Sequence, residues 1–273
     1  METKEETYKQ KESRNYIMKF IRLATIAALS TTILAGTATS AFAQEVRQVT
    51  TEGQVQFEAS NDEDLEVIPP VTNPDVDIDV EVPGTTGPLS IVKAAKMNFG
   101  KQVISNQDQT YNMVAEMQQK SNTTGDENKV PYVSFAQVQD LRGTNDGWDL
   151  KVSMSNFTSN TQNSVLTGAQ ITFVDSAIQY AGTDQGNAPT AHTDGLTIFP
   201  NGAAQSVMTA TQGKGAGASS VVWGNQATLT AQFEDNDIDV VENSSIQLSV
   251  PGSTAKDATT YTSTLTWELT VTP

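Results

Sequence analysis

Residues 261–272 restrict the fold of this chain more than any other part of it. Tyr261, Ser263, Leu265, Trp267, Leu269 and Val271 fall on one side of an extended backbone. Thr262, Thr264, Thr266, Glu268, Thr270 and Thr272 fall on the other. A period of two sustained this long, in a threonine-rich run, fits a strand with one buried face and does not fit a helix. The same alternation recurs at Trp148, Leu150, Val152 and Met154, at Ala227, Leu229, Ala231 and Phe233, and at Ile246, Leu248 and Val250. Further strands are expected over residues 89–99, 130–138, 170–174, 196–199 and 219–223.

Turn chemistry points the same way. Thr144-Asn145-Asp146-Gly147 precedes a strand, so residues 130–140 and 147–155 are expected to form a hairpin. Pro200-Asn201-Gly202 marks a second turn. No segment has a convincing helical period; residues 111–119 come nearest. Many strands separated by Gly, Asn and Asp turns predict an all-β fold, an antiparallel β-sandwich that is immunoglobulin-like in general architecture.

The front of the chain reads as a leader. Lys19 and Arg22 form a basic start, residues 23–34 are apolar, and Ala41-Phe42-Ala43 is an A-x-A cleavage site. The apolar run is short of the ~20 residues that span a bilayer comfortably. A secretory signal peptide over residues 1–43 is expected, with translation starting at Met1 or Met18. No second apolar segment, basic stop-transfer cluster or LPxTG-like sorting motif follows. A secreted, extracellular protein with no membrane span after signal cleavage, and no sortase linkage, is expected.

Residues 44–83 hold 11 acids and one base, with Pro69, Pro70, Pro74 and Pro83 as punctuation. Residues 44–86 are therefore read as an extended, self-repelling spacer. Val55, Phe57 and Ala59 alternate within it and are read as a possible edge strand. The folded β domain is assigned to residues 87–273. From Gln44 onward the chain carries 10 Lys and Arg against 28 Asp and Glu. That balance argues against nucleic acid and anionic membranes as partners. There is no cysteine, so core burial must hold the fold without disulfides.

The sequence is poor in catalytic material, and no enzyme, cofactor or metal site is expected. His192 is the only histidine, and no G-x-S-x-G element accompanies it. Asp75, Asp77 and Asp79 alternate as in a calcium loop, but Val80 and Thr86 stand where Gly and Glu would be needed. Asp235, Asp237 and Asp239 fail in the same way at Val240 and Ile246. Gln212-Gly213-Lys214-Gly215-Ala216-Gly217 lacks the spacing and context of a phosphate loop. It is read as a mobile glycine loop feeding the Val221-Val222-Trp223 strand.

The tripeptide Trp-acid-Leu occurs twice, as Trp148-Asp149-Leu150 and Trp267-Glu268-Leu269, in a chain with three tryptophans. With Tyr261 and Leu265-Thr266 before the second copy, Pro273 after it, and Thr86-Gly87-Pro88-Leu89-Ser90-Ile91 leading to Asn98-Phe99-Gly100, the chain resembles the WxL-domain surface proteins of low-GC Gram-positive bacteria. Val271 is a small departure, since relatives often carry a polar residue there. The resemblance implies a C-terminal module that attaches non-covalently to the cell wall, with peptidoglycan as its ligand. It also implies operation beside membrane-anchored DUF916-type partners in complexes for adhesion or polymer use. An alternative function follows: a complex subunit retained mainly through such a partner.

Strand geometry leaves two roles for the motif. Trp148 and Leu150 share a face, as do Trp267 and Leu269, while Asp149 and Glu268 point the other way. Either the Trp-Leu pairs are core, or one or both rings are partly exposed and stack on sugars, with a β-bulge bringing the acids to the same surface.

Overall fold

The computed structural model describes residues 49, 51–60, 65–79 and 85–272. The expected leader, residues 1–43, lies outside them. Among the described residues, fifteen strands and one α-helix follow in chain order: β1 (Val76–Asp77), β2 (Leu89–Lys93), β3 (Gln109–Val114), β4 (Glu116–Lys120), β5 (Lys129–Tyr132), β6 (Ser134–Asp140), β7 (Gly147–Met154), β8 (Gln170–Phe173), β9 (Ser176–Tyr180), β10 (Thr190–Ala191), β11 (Leu196–Ile198), β12 (Gln205–Ala210), β13 (Gly217–Trp223), α1 (Gln226–Glu234), β14 (Glu242–Val250) and β15 (Leu265–Thr272). Three four-stranded sheets run β10-β12-β7-β15, β11-β8-β14-β3 and β2-β6-β13-β9, and a small sheet runs β1-β4-β5. All pairings between these strands are antiparallel. The fold is all-β.

One core joins the three large sheets. Trp148, Leu150 and Val152 of β7 meet Ile171 and Phe173 of β8, Ala136 and Val138 of β6, Val221 and Trp223 of β13, and Ile246 of β14. A second core lies on the far side of the β6–β13 sheet, where Phe135 and Val222 meet Val67, Val76, Val92, Tyr132 and Leu229. That sheet is therefore apolar on both faces. This is why Val221-Val222-Trp223 is a continuous apolar run and not an alternating one. Lys93 is buried beside the second core, and the Glu116 side chain next to it is largely covered. Lys93 Nζ lies 3.4 Å from Glu116 Oε2 and 5.8 Å from the centre of the Phe135 ring. Burial raises the Glu116 carboxyl above its ordinary range, against the pull of Lys93.

Part of the stretch expected as a free spacer is docked. Gln137 pairs with Ile68, its Oε1 accepting from Ile68 N–H at 2.9 Å and its Nε2 donating to Ile68 O at 2.7 Å. Tyr132 Oη does the same for Val71, accepting from its N–H at 2.9 Å and donating to its carbonyl at 2.6 Å. Val67 and Val76 are buried, while Asp75, Asp77 and Asp79 face solvent. Alternation of Val and Asp here thus serves a strand, β1, with one packed side. Val55 and Phe57 lie outside any strand and are exposed.

Two local expectations are corrected. Residues 130–140 and 147–155 do not form a hairpin: β6 pairs with β2 and β13, and β7 with β12 and β15. The turn signals are real, since Gly143 (φ 72°) and Asn145 (φ 57°) are left-handed. They carry the chain between sheets, and Arg142 fixes the crossing. Its guanidinium donates to both Asp140 oxygens, at 2.9 and 2.8 Å, and to the Asp146 carbonyl at 2.7 Å. Second, residues 227–233 are not a strand but lie in α1. Asn225 caps the helix, its side chain accepting from Thr228 N–H at 3.0 Å. Of the alternating apolar residues only Leu229 is buried, so the period of two there reflected no packed face.

Among the described residues, no helix is long and apolar enough to cross a membrane.

Candidate functional site

The two Trp-acid-Leu copies lie side by side. β7 is an inner strand of its sheet and β15 an edge, paired in an unbroken register that sets Leu269 opposite Leu150, Val271 opposite Trp148 and Trp267 opposite Val152. The leucines face each other. The tryptophans sit four residues apart along the pair, or ~13 Å at ~3.3 Å per residue.

Trp148 is completely buried. Its indole Nε1–H donates to the Gly215 carbonyl at 3.2 Å. Gly215 is left-handed (φ 74°), and a Cβ there would stand 2.6 Å from Ala210 Cβ and 2.8 Å from Trp148 Nε1. The loop around it is pinned: Gly213 N–H donates to Asn145 O and Gly215 N–H to Asn187 O, each at 2.8 Å. The glycine-rich stretch is thus the lid over the first motif. Its sequence signal, three glycines in five residues, shows small size but not what the loop covers.

Trp267 is half-buried and lies 6.3 Å from Trp223, centre to centre. Trp223 is fully buried, packs on Phe173 at 4.8 Å and donates its indole N–H to His192 Nε2 at 2.8 Å. An indole N–H can only donate, so His192 Nε2 is unprotonated. Its Nδ1 therefore carries the proton and donates to the Thr193 carbonyl at 2.7 Å. Burial lowers the pKa of this ring below the usual histidine value, with Thr193 O and Asp194 opposing. The lone histidine is a fixed part of the aromatic cluster behind the second motif. Its rarity was the one available signal.

The acids of the motif face outward. Asp149 accepts from Ser206 Oγ at 2.8 Å and Thr209 Oγ1 at 3.1 Å, and lies 3.5 Å from Lys151 Nζ. Glu268 is opposite Lys151 in register and is exposed, as is Thr266. Thr270 Oγ1 donates to the Asp149 carbonyl at 3.4 Å. The result is a polar sheet face of hydroxyls, one bound carboxylate, one free carboxylate and one ammonium. Alternation holds throughout β15, so the acids and rings do not share a surface.

A groove of about 560 Å³ lies elsewhere, between residues 163–168 and 251–255. Asn163, one of its lining residues, is held from behind: the Tyr261 hydroxyl donates to Asn163 O at 2.6 Å and accepts from Asp257 N–H at 3.0 Å. No motif residue lines it. Among the described residues, no three His, Cys, Asp or Glu side chains converge to hold a metal ion.

Fold and site together define a class: an antiparallel β module, free of cysteine, built around two adjacent Trp-acid-Leu strands. The family model described as WxL domain, surface cell wall-binding, matches residues 44–273. The chain belongs to this family, and is by that membership a cell-wall-binding protein of the cell surface. No curated protein and no solved structure matches the chain.

Proposed function

We propose that the chain is an exported, non-enzymatic protein that holds to peptidoglycan through this module, and that the outward face of the β10-β12-β7-β15 sheet makes the contact. One observation carries the reading: the motif divides between core and surface. Trp148 and Leu150 are spent on packing, and Trp267 and Leu269 are half-covered. Asp149 and Glu268 lie on the opposite side of the sheet, Glu268 exposed and Asp149 buried under Lys151, Ser206 and Thr209. Hydroxyl, carboxylate and ammonium groups on one sheet face offer the donors and acceptors that sugar hydroxyls and acetamido groups require. Asp149 orders the two hydroxyls that point at it, so it supports the face more than it offers itself to a ligand.

The test is retention of the purified chain on protease-treated peptidoglycan. The double variant Lys151→Gln/Glu268→Gln should lose retention at an unchanged melting temperature. Equal retention of the variant would move the contact to another surface.

A second reading is favoured by the charge. A formal net charge of −16 repels anionic wall polymers and attracts a basic protein. On this reading a membrane-anchored partner of the DUF916 type holds the chain at the wall. Failure of the parent chain to bind partner-free peptidoglycan selects it.

A further inference from the structure

We propose that residues 55–59 of one copy of this chain dock as an added strand on the open edge of β15 in a second copy. The edge comes first. Among the described residues, β15 has β7 on one side and no strand on the other. Its inward side chains continue the core beyond the point where the fold covers it. On β7, Trp148, Leu150 and Val152 are 0 % exposed and Met154 3 %. On β15, Leu265, Trp267 and Leu269 are half-buried and Val271 is 56 % exposed. Edge strands are usually blunted by proline, lysine or a bulge. Leu-Thr-Trp-Glu-Leu-Thr-Val-Thr has none of these, runs its full length in register with β7, and carries a single charge.

The matching piece is in the same chain. Residues 55–59, Val-Gln-Phe-Glu-Ala, alternate apolar and polar side chains. Val55 is 71 % and Phe57 88 % exposed. None of the five forms a hydrogen bond. Their backbone is free to pair, and strand addition draws its affinity from main-chain bonds and its selectivity from alternate side chains. Val55 and Phe57, two residues apart, fit over two successive inward positions of β15. The segment is rooted elsewhere on its own copy, where Ser60 N–H meets the Leu141 carbonyl at 3.4 Å. One copy thus holds both a spare strand and an open edge, and uses neither. Exchange with a neighbour satisfies both. Because the two surfaces differ, the contact is heterologous and can continue from copy to copy. Each copy is acidic, so salt should strengthen the association by screening.

The test is light scattering on the exported chain over a concentration series at about 0.05 and 0.5 M salt. Mass should rise with concentration, and more steeply at high salt. Phe57→Asp should remain monomeric with an unchanged melting temperature, since that ring touches nothing that folding needs. The chain has no cysteine, so linkage is clean to read. Mixed Phe57→Cys and Val271→Cys single variants should give a hetero-linked pair on oxidation, well above either self-linked product. A parent chain that is monomeric in all conditions overturns the proposal. So does a Phe57→Asp chain that associates like the parent, or a Phe57→Cys/Val271→Cys double variant that links only within one molecule.

Discussion

Trp223 and His192 are joined by an indole N–H donating to Nε2 at 2.8 Å, a bond that exists only while the imidazole is neutral. Protonation would set two donors against each other beside a buried ring.

The sign of the pH effect follows from the lowered His192 pKa. Near pH 8 both folded and unfolded rings are neutral. As pH falls through the unfolded value near ~6.5, the unfolded chain takes up a proton that the folded chain resists, so stability falls. The loss levels off below the folded pKa. Urea midpoints between about pH 8 and pH 5 should show this slope, and His192→Gln, which can still accept from Trp223, should flatten it.

The two motif tryptophans should differ in what they cost to remove. Trp148→Ala deletes a fully buried ring and its bond to Gly215, a loss of ~3–5 kcal/mol. Trp267→Ala removes a half-covered ring and should cost distinctly less. Equal losses in denaturant melts would mean that burial does not set the difference.

Glycine 215 is replaceable by nothing larger. Gly215→Ala adds left-handed strain of ~1–3 kcal/mol to a collision with Trp148 and Ala210. Gly213→Ala meets a similar φ, 83°, but open space. A melting temperature that falls much further for Gly215→Ala than for Gly213→Ala isolates the collision.

Lys93→Met should destabilise the chain by ~3–5 kcal/mol at neutral pH, because it strands the largely covered Glu116 carboxylate beside the second core. The Glu116 pKa is already raised by burial. Acid neutralises that carboxyl, so the variant's deficit against the parent chain should shrink as pH falls toward 5. A deficit independent of pH would mean that packing, not charge, carries the loss.

The strands were legible where one face is packed and the other is wet. The run 261–272 and the first motif strand both alternate; the former is a strand over Leu265–Thr272 and the latter over Gly147–Met154. The rule misled at residues 227–233, where the alternating alanines touch no core and a side-chain cap at Asn225 decides for helix. It also said nothing about pairing. The turn at Asn145-Asp146-Gly147 has the chemistry of a hairpin but crosses between sheets, because Arg142 ties its base to Asp140. At the candidate site, periodicity placed the acids opposite the rings. Long-range partners left no periodic trace: Gly215 lies 67 residues from Trp148, and His192 31 residues from Trp223.

The sheet with a core on each face sets where this protein can be cut. A fragment beginning at Gly87, where composition places the domain boundary, would lose Val67 and Val76 and open Val92, Phe135 and Val222 to water. Tyr132 and Gln137 would lose the main-chain groups they now hold at Val71 and Ile68. The acidic, proline-marked stretch is in that part a structural skin. Any transplant of the module to another protein has to bring residues 65–79 with it.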